Sequence, residues 1–256
     1  KFDYNNQNKN ILNTYKKADG VIFQTSFNEK LITKYFGEHE NSVVIRNGAD
    51  VQLYEDCPLI ENFQNNRTGE MMSFSDYENV WCCASNWRPH KRLWDNISYY
   101  IKNRGDNDML IVGGNSKHDQ AWGEKSTFHD KVLKRNSIFF ANDMPYGKLL
   151  QLYKTSKYFI HLAWLDHCPN VVVDARAMGC QIICSDSGGT KEIAGENAIL
   201  IQEEKEWDYS PVELYKPPKL DYDKKIKNTH TEGSNDIKDV AEEYVKFFEK
   251  TLEKRK

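Results

Sequence analysis

Three basic residues crowd one short stretch, Arg88-Pro89-His90-Lys91-Arg92, just after the β-rich run Val80–Ser85. Guanidinium and ammonium groups held at a strand end make charge-assisted hydrogen bonds to a multiply charged anion. Arg88 and Lys91 are the candidates for that task. The competing reading is a solvated basic loop in front of a helix. Two carboxylates, Asp166 and Asp174, follow with seven residues between them. Pro169 marks a helix start and Gly179 its stop. A helix start offers free amides to an anion, although its dipole also favours a plain surface acid. Val171-Val172-Val173 has strand propensity, so the helix leans on Ala175–Met178. Gly188-Gly189 follows the apolar run Gln181–Ser185. Paired glycines let backbone approach a ligand closely, or make a simple turn. Thr190 is then expected to cap a short helix.

Other residues carry less. Gly113-Gly114 closes a strand without the G-x-G-x-x-G spacing of a dinucleotide site. His161 sits inside an apolar run and reads as a packed core residue. His118 and His129 lie in a polar insertion and lack metal-ligand partners. Asp221-Tyr222-Asp223 stands in a charged tail, so its Asp-x-Asp spacing reads as chance and no metal is expected. The six cysteines, Cys57, Cys82, Cys83, Cys168, Cys180 and Cys184, form no C-x-x-C pair and no zinc spacing. They read as reduced, mostly buried thiols. The sequons Asn66-Arg67-Thr68 and Asn96-Ile97-Ser98 come without a secretion signal and are read as chance. A net charge of -3 argues against non-specific nucleic-acid binding. No apolar run is long enough to span a membrane. The expected location is cytoplasmic, or peripheral at a membrane.

The elements that must hold these groups alternate. Six β-rich runs (Val80–Ser85, Met109–Gly113, Ser137–Ala141, Tyr158–Leu162, Gln181–Ser185 and Ala198–Ile201) are mostly separated by helical patterns such as Lys91–Lys102 and Tyr146–Thr155. That alternation implies a parallel sheet covered on both faces, with right-handed crossovers. The expected class is α/β, a doubly wound, Rossmann-like, six-stranded and mainly parallel sheet. Such sheets bind ligands beyond their strand C-termini, where Lys91, Asp166 and Gly188 all fall. Upstream, Gly20–Gln24, Asn28–Phe36 closed by Gly37, and Ser42–Ile45 form one β-α-β unit, expected at one edge of the sheet. Glu61–Glu78 reads as a long loop or linker. Asp221–Asp236 reads as a mobile polar segment. Asp236–Arg255 reads as a terminal helix with Val240, Tyr244, Phe247, Phe248 and Leu252 on one stripe.

Taken together, these segments resemble glycosyltransferase family 4, which has the GT-B fold of two facing Rossmann-like domains. Ala18-Asp19-Gly20-Val21-Ile22 with Ser26 resembles the last strand of the family's acceptor domain. Val44-Ile45-Arg46-Asn47-Gly48-Ala49-Asp50 resembles its crossover into the donor domain. Ser85–Leu93 resembles the phosphate-binding loop, and Asp166–Gly179 the Glu-x7-Glu motif with its helix. Ser187-Gly188-Gly189-Thr190-Lys191-Glu192 resembles the Gly-Gly-x-x-Glu turn that follows. Order and spacing together carry the signal. Two departures stand out. Asn86 occupies the position, five residues before Lys91, where the family commonly has Arg, so Arg88 is expected to substitute. Both acids are Asp rather than Glu, one methylene shorter.

The resemblance implies a glycosyltransferase, hexosyltransferase-like, acting with retention and without a metal or cofactor. A nucleotide-sugar such as a UDP- or GDP-sugar would be its donor substrate. Residues 1–50 would be a partial acceptor-domain segment with the crossover, and residues 51–256 the donor domain with its C-terminal helix. Catalytic roles fall to Asp166, near the transferred sugar, and to Arg88 and Lys91 on the leaving diphosphate. Donor contacts fall to Asn86, Gly114, Met144, Tyr146, His167, Cys168, Asn170, Asp174, Gly188 and Gly189. Among these, Asp174 would take the ribose hydroxyls, and the Met144-Pro145-Tyr146 loop would border the base. The acceptor, a glycan, lipid or protein, would meet an N-terminal half supplied in cis or in trans. Two alternatives stay open: a nucleotide-sugar-binding subunit without activity alone, and a GT-B sugar-nucleotide epimerase.

Overall fold

The computed structural model describes residues 4–65, 69–114, 130–230 and 236–254. His118, His129 and the sequon at Asn66-Arg67-Thr68 lie outside these residues. In chain order the elements are α1 (Tyr4–Lys17), β1 (Val21–Phe23), α2 (Ser26–Phe36), β2 (Ser42–Val44), α3 (Gln52–Asp56), β3 (Asn62–Gln64) and β4 (Met71–Ser73). Then come β5 (Asn79–Ala84), α4 (Leu93–Asn103), β6 (Asp108–Gly113), α5 (Asp130–Arg135), β7 (Ile138–Asn142), α6 (Tyr146–Thr155) and β8 (Tyr158–His161). The chain ends with α7 (Asn170–Ala177), β9 (Gln181–Ser185), α8 (Thr190–Ile193), β10 (Ile199–Glu203), β11 (Leu220–Lys227) and α9 (Ile237–Glu253).

Seven strands form the main sheet in the order β11-β10-β9-β8-β5-β6-β7. All neighbours pair in parallel except β10 with β11. Successive side chains of a strand point to opposite faces, and here both faces are apolar. Val80, Cys82 and Ala84 of β5 pack with Leu150 and Tyr153 of α6 and Val172 of α7. Trp81 and Cys83 pack with Leu93, Ile97 and Tyr100 of α4. Continuous apolar strands therefore demand helices on both sides. From β5 the chain runs outward one way through β6 and β7, and the other way through β8 to β11. The sheet reverses direction between β5 and β8, which is where such sheets open a ligand crevice.

Three expectations are corrected. The sheet has a seventh strand, β11, where a mobile polar segment was expected. Its inner residue Tyr222 donates to Asp95 at 2.6 Å and meets the Tyr99 ring edge-on. Its exposed residues are charged except Ile226, which suits an edge strand that must not recruit another. The Asp221-Tyr222-Asp223 motif is thus part of a strand, with Asp223 paired to Lys102 at 2.7 Å. The stretch Glu61–Glu78 is no linker: β3 and β4 pair as an antiparallel hairpin. Phe63 there packs on Phe74 and Phe139, at 4.9 and 5.2 Å between ring centroids.

The third correction concerns the N-terminal β-α-β unit. Strands β1 and β2 form a separate two-stranded parallel sheet, not an edge of the main one. Helix α9 covers it, with Val240 and Phe247 against Ile45, Ile22 and Val43. All six cysteines are free, and Cys57 alone among them is not buried. No helix among the described residues is long and apolar enough to cross a membrane.

Candidate functional site

The loop after β5 is folded against the loop after β8. A single 3-10 turn, Pro89–Lys91, leads to Arg92, whose left-handed backbone (φ 53°, ψ 50°) turns the chain into α4. Trp87 Nε1 donates to the Gly113 carbonyl at 2.8 Å, and Trp164 N to the His90 carbonyl at 2.8 Å. Buried Asn96 donates to the Arg92 carbonyl (2.7 Å) and accepts from Leu162 N (3.1 Å), so its sequon is structural. His90 is buried and stacks on Tyr215, with centroids 5.4 Å apart. Burial, with the charge of Lys91, pushes the His90 imidazole down to about 4.

This framing delivers Lys91 Nζ to Asp166 Oδ2 across the reversal point of the sheet. The same oxygen meets His161 Nε2 at 2.9 Å, while Oδ1 accepts from His167 N at 3.2 Å. An ionised carboxylate only accepts, so Nε2 carries the ring proton. Burial works to raise the Asp166 pKa, but the His161 hydrogen bond and the Lys91 charge prevail and hold it well below the usual carboxylate range. Burial keeps the His161 imidazole below its ordinary value, leaving it neutral at pH 7. Here the reading of His161 as only a core residue is corrected. The ring is buried and stacks on Phe159, yet its outer nitrogen belongs to the site. A histidine ending a strand five residues before a candidate acid was the available signal.

The acid has a consequence for stability. Its folded titration lies below the unfolded value of about 3.9. Its contribution is therefore present above that value and is lost as pH falls through the folded one. Asp166→Asn should lower stability at pH 7 and flatten the fall below about pH 4. Urea midpoints at pH 7 and pH 3 check this.

Helix α7 starts after Pro169 and ends before Gly179 (φ 92°), as the spacing predicts. Asp174 Oδ1 accepts from the Tyr146 hydroxyl at 3.2 Å, and burial raises this carboxyl. Asn170 Oδ1 accepts from Asn47 at 2.6 Å. Asp174, Tyr146 and Asn170 share a cleft of about 730 Å³ whose far wall is Val240 and Tyr244 of α9. Met144 packs beside the core, and Cys168 is buried with its thiol raised by burial. Asn86 and Arg88 are exposed.

The glycines answer a local need. A Cβ on Gly188 (φ 75°) would lie 2.5 Å from the Asp166 carbonyl oxygen. One on Gly189 would overlap the His167 carbonyl, and one on Gly114 (φ 96°) the Ser85 carbonyl. Each loop is thus pressed onto its neighbour's backbone, whatever ligand is present. Thr190 does not cap α8. Gly189 holds that position, and the Thr190 hydroxyl is buried without a hydrogen-bond partner.

A residue whose role the motif left unread is Glu192. Its carboxylate accepts from Ser26 N and Phe27 N, both at 2.8 Å, and from Arg46 at 3.1 Å. Thr25 caps α2 and also donates to the His167 carbonyl at 3.1 Å. Asn28 reaches His167 Nδ1 at 3.0 Å. The N-terminal unit is therefore stitched to the loops at the C-terminal end of the main sheet.

Comparison with known proteins bears on the fold. The Anabaena protein HepE, solved with UDP and glucose, superposes with a TM-score of 0.59 at 19% identity, over 78% of this chain and 54% of that one. Sucrose-phosphate synthase from Thermosynechococcus elongatus gives 0.56 at 11% identity, over 78% and 49%. A glycosyltransferase from Rickettsia africae gives 0.54 at 14% identity, over 77% and 53%. At these identities the likeness is one of fold, and the chain spans about half the length of each structure. A search of curated proteins returns no significant match. The model of the family described as glycosyl transferases group 1 matches residues 74–209, from the 3-10 turn before β5 to the segment after β10. That stretch is more than half of the 256 residues, and the chain belongs to the group 1 glycosyl transferases.

Proposed function

We propose that this chain supplies the donor site of a family 4 glycosyltransferase that moves a sugar from a nucleotide-sugar to an acceptor. The observation that carries the reading is the Lys91–Asp166 pair at the reversal point between β5 and β8. In this reading Lys91 and Arg88 take the diphosphate. As the bond between the sugar's anomeric carbon and the phosphate oxygen breaks, its electron pair goes to that oxygen. Positioned cations stabilise the growing charge there, so no metal or cofactor is required. Asp166 holds the transferred sugar, with the His167, Cys168, Asn170, Gly188 and Gly189 backbone around it. Asp174 and Tyr146 face the ribose, and the loop from Met144, with Gly114 and Asn86, borders the nucleotide. Residues 51–256 form the donor domain and residues 1–50 belong to the acceptor side. Transfer occurs with retention, in the cytoplasm or at a membrane surface. Anabaena HepE was solved with UDP and glucose, which makes uridine nucleotides the first probes.

Lys91→Ala and Arg88→Ala should each weaken nucleoside-diphosphate binding by about 1.5–3 kcal/mol, the range of charge-assisted hydrogen bonds. Unchanged calorimetric affinity in both folded variants would remove the site. Asp174→Asn should weaken nucleoside diphosphate and nucleotide-sugar alike, because an amide replaces only part of a carboxylate's accepting capacity for a diol. Asp174→Glu separates two backbone geometries: tolerance means room for the longer acid, and weaker binding means the helix has moved inward to suit Asp. Equal affinity in both Asp174 variants would mean that this acid does not contact the ribose. A donor-binding subunit would show the same affinities with no turnover until a second chain is added.

A further inference from the structure

One carboxylate oxygen serves two donors. Asp166 Oδ2 accepts from Lys91 Nζ and from His161 Nε2. An anion that engages Lys91 competes with Asp166 for the three donors and the charge of its ammonium. The Asp166 side chain is only 16% exposed, and a buried carboxylate stripped of its cation is strongly destabilising. The donors left to it are one backbone amide, His167 N, and the His161 ring.

We propose that His161 is a positioning residue, which holds the Asp166 carboxylate in place when Lys91 turns to a bound diphosphate. The proposal rests on the donor-site reading above. The surroundings of the ring fit the task. It ends β8 with its side chain 4% exposed and stacks on Phe159 of its own strand. Asp166 faces it from the following loop, and Lys91 and His90 bring their charge and ring from the turn after β5. Paired strand β9 brings Cys184, whose thiol burial pushes up to about 12. Cys82 and Cys83 lie on β5. Burial first, and then the Lys91 charge, lower the imidazole, while Asp166 pulls the other way. Withdrawing the Lys91 charge removes one of the two influences that lower the ring while Asp166 stays, so His161 then gains proton affinity. Anion binding at Lys91 is in this way linked to proton uptake at His161.

Lys91→Met withdraws that charge without any ligand, and nitrogen-resolved NMR of the histidine rings reads the outcome. The expected result is a His161 protonated at Nε2 at pH 7.5 in the wild-type chain. Its titration midpoint should rise by about one pH unit in Lys91→Met. Saturating the wild-type chain with UDP should move His161 in the same direction. His161→Leu should weaken UDP binding by about tenfold or more, and His161→Gln, which keeps a donor, should restore it to within about threefold. An unmoved midpoint in Lys91→Met overturns the proposal. So does UDP binding that leaves the His161 ring unchanged and is indifferent to His161→Leu. If the wild-type chain binds no nucleoside diphosphate, the donor-site reading fails. The link from Lys91 through Asp166 to His161 is still decided by the Lys91→Met midpoint.

Discussion

Replacing Arg92 with alanine should lower the unfolding free energy by about 3–5 kcal/mol. The Arg92 and Glu203 side chains are 1% and 4% exposed and meet through two parallel bonds of 2.8 Å. Arg92 also donates to the Leu162 carbonyl (3.2 Å) and the Pro218 carbonyl (2.6 Å). It therefore ties the end of β8 and the segment leading into β11 to the start of α4. Alanine would leave a buried carboxylate without its cation and two carbonyls without a donor. Removing both charges is a different matter, because two matched apolar groups carry no desolvation penalty. Arg92→Met with Glu203→Leu should recover most of the loss in urea unfolding. Arg92→Gly should be milder than alanine by about 1 kcal/mol, since the left-handed backbone at this position suits glycine. A double variant as unstable as Arg92→Ala would show that the ion pair is not the source of the effect.

The second large effect is local. Glu192→Ala would leave Ser26 N and Phe27 N without their acceptor and the partly buried Arg46 without its carboxylate. The two bonds from these amides alone are charge-assisted and worth about 1.5–3 kcal/mol each. The loss should be about 3 kcal/mol, confined to the docking of the β1-α2-β2 unit. Hydrogen exchange should report it as lost protection at Ser26, Phe27 and the rest of α2, while β5 and β6 stay protected. Glu192→Gln retains an acceptor and should fall between. Full protection of α2 in Glu192→Ala would mean that other contacts, such as Thr25 with His167, suffice to hold the unit.

The six strands read from the sequence are all present, with ends displaced by a residue or two, because a strand buried on both faces is apolar at nearly every position. Strand β11 escaped for the opposite reason. One of its faces is wet and lysine-rich, and its pairing with β10 is a property of the partner. Hairpin β3–β4 is made of three-residue strands, too short for periodicity to register. At the site, the meeting of Lys91 with Asp166 was legible because the family resemblance marked both loops and a doubly wound sheet brings the loops after β5 and β8 together. Partners were not. Arg88 and Arg92 look equivalent in sequence, yet one reaches solvent and the other turns inward to Glu203, 111 residues away. Glu192 meets amides 165 and 166 residues upstream. A histidine in an apolar strand looks the same whether or not its far nitrogen meets a carboxylate, and only its place five residues before Asp166 set His161 apart.

Calorimetry of the chain with UDP, GDP and ADP, and with their sugar conjugates, decides whether the crevice beside Lys91 and Asp166 is a donor site. At least one of these nucleotides should bind one-to-one, and Lys91→Ala should weaken it by about tenfold or more. The same ligand at about a hundred times its dissociation constant should stabilise the fold by about 2.7 kcal/mol. A folded chain that neither binds nor is stabilised by any of these nucleotides would contradict it.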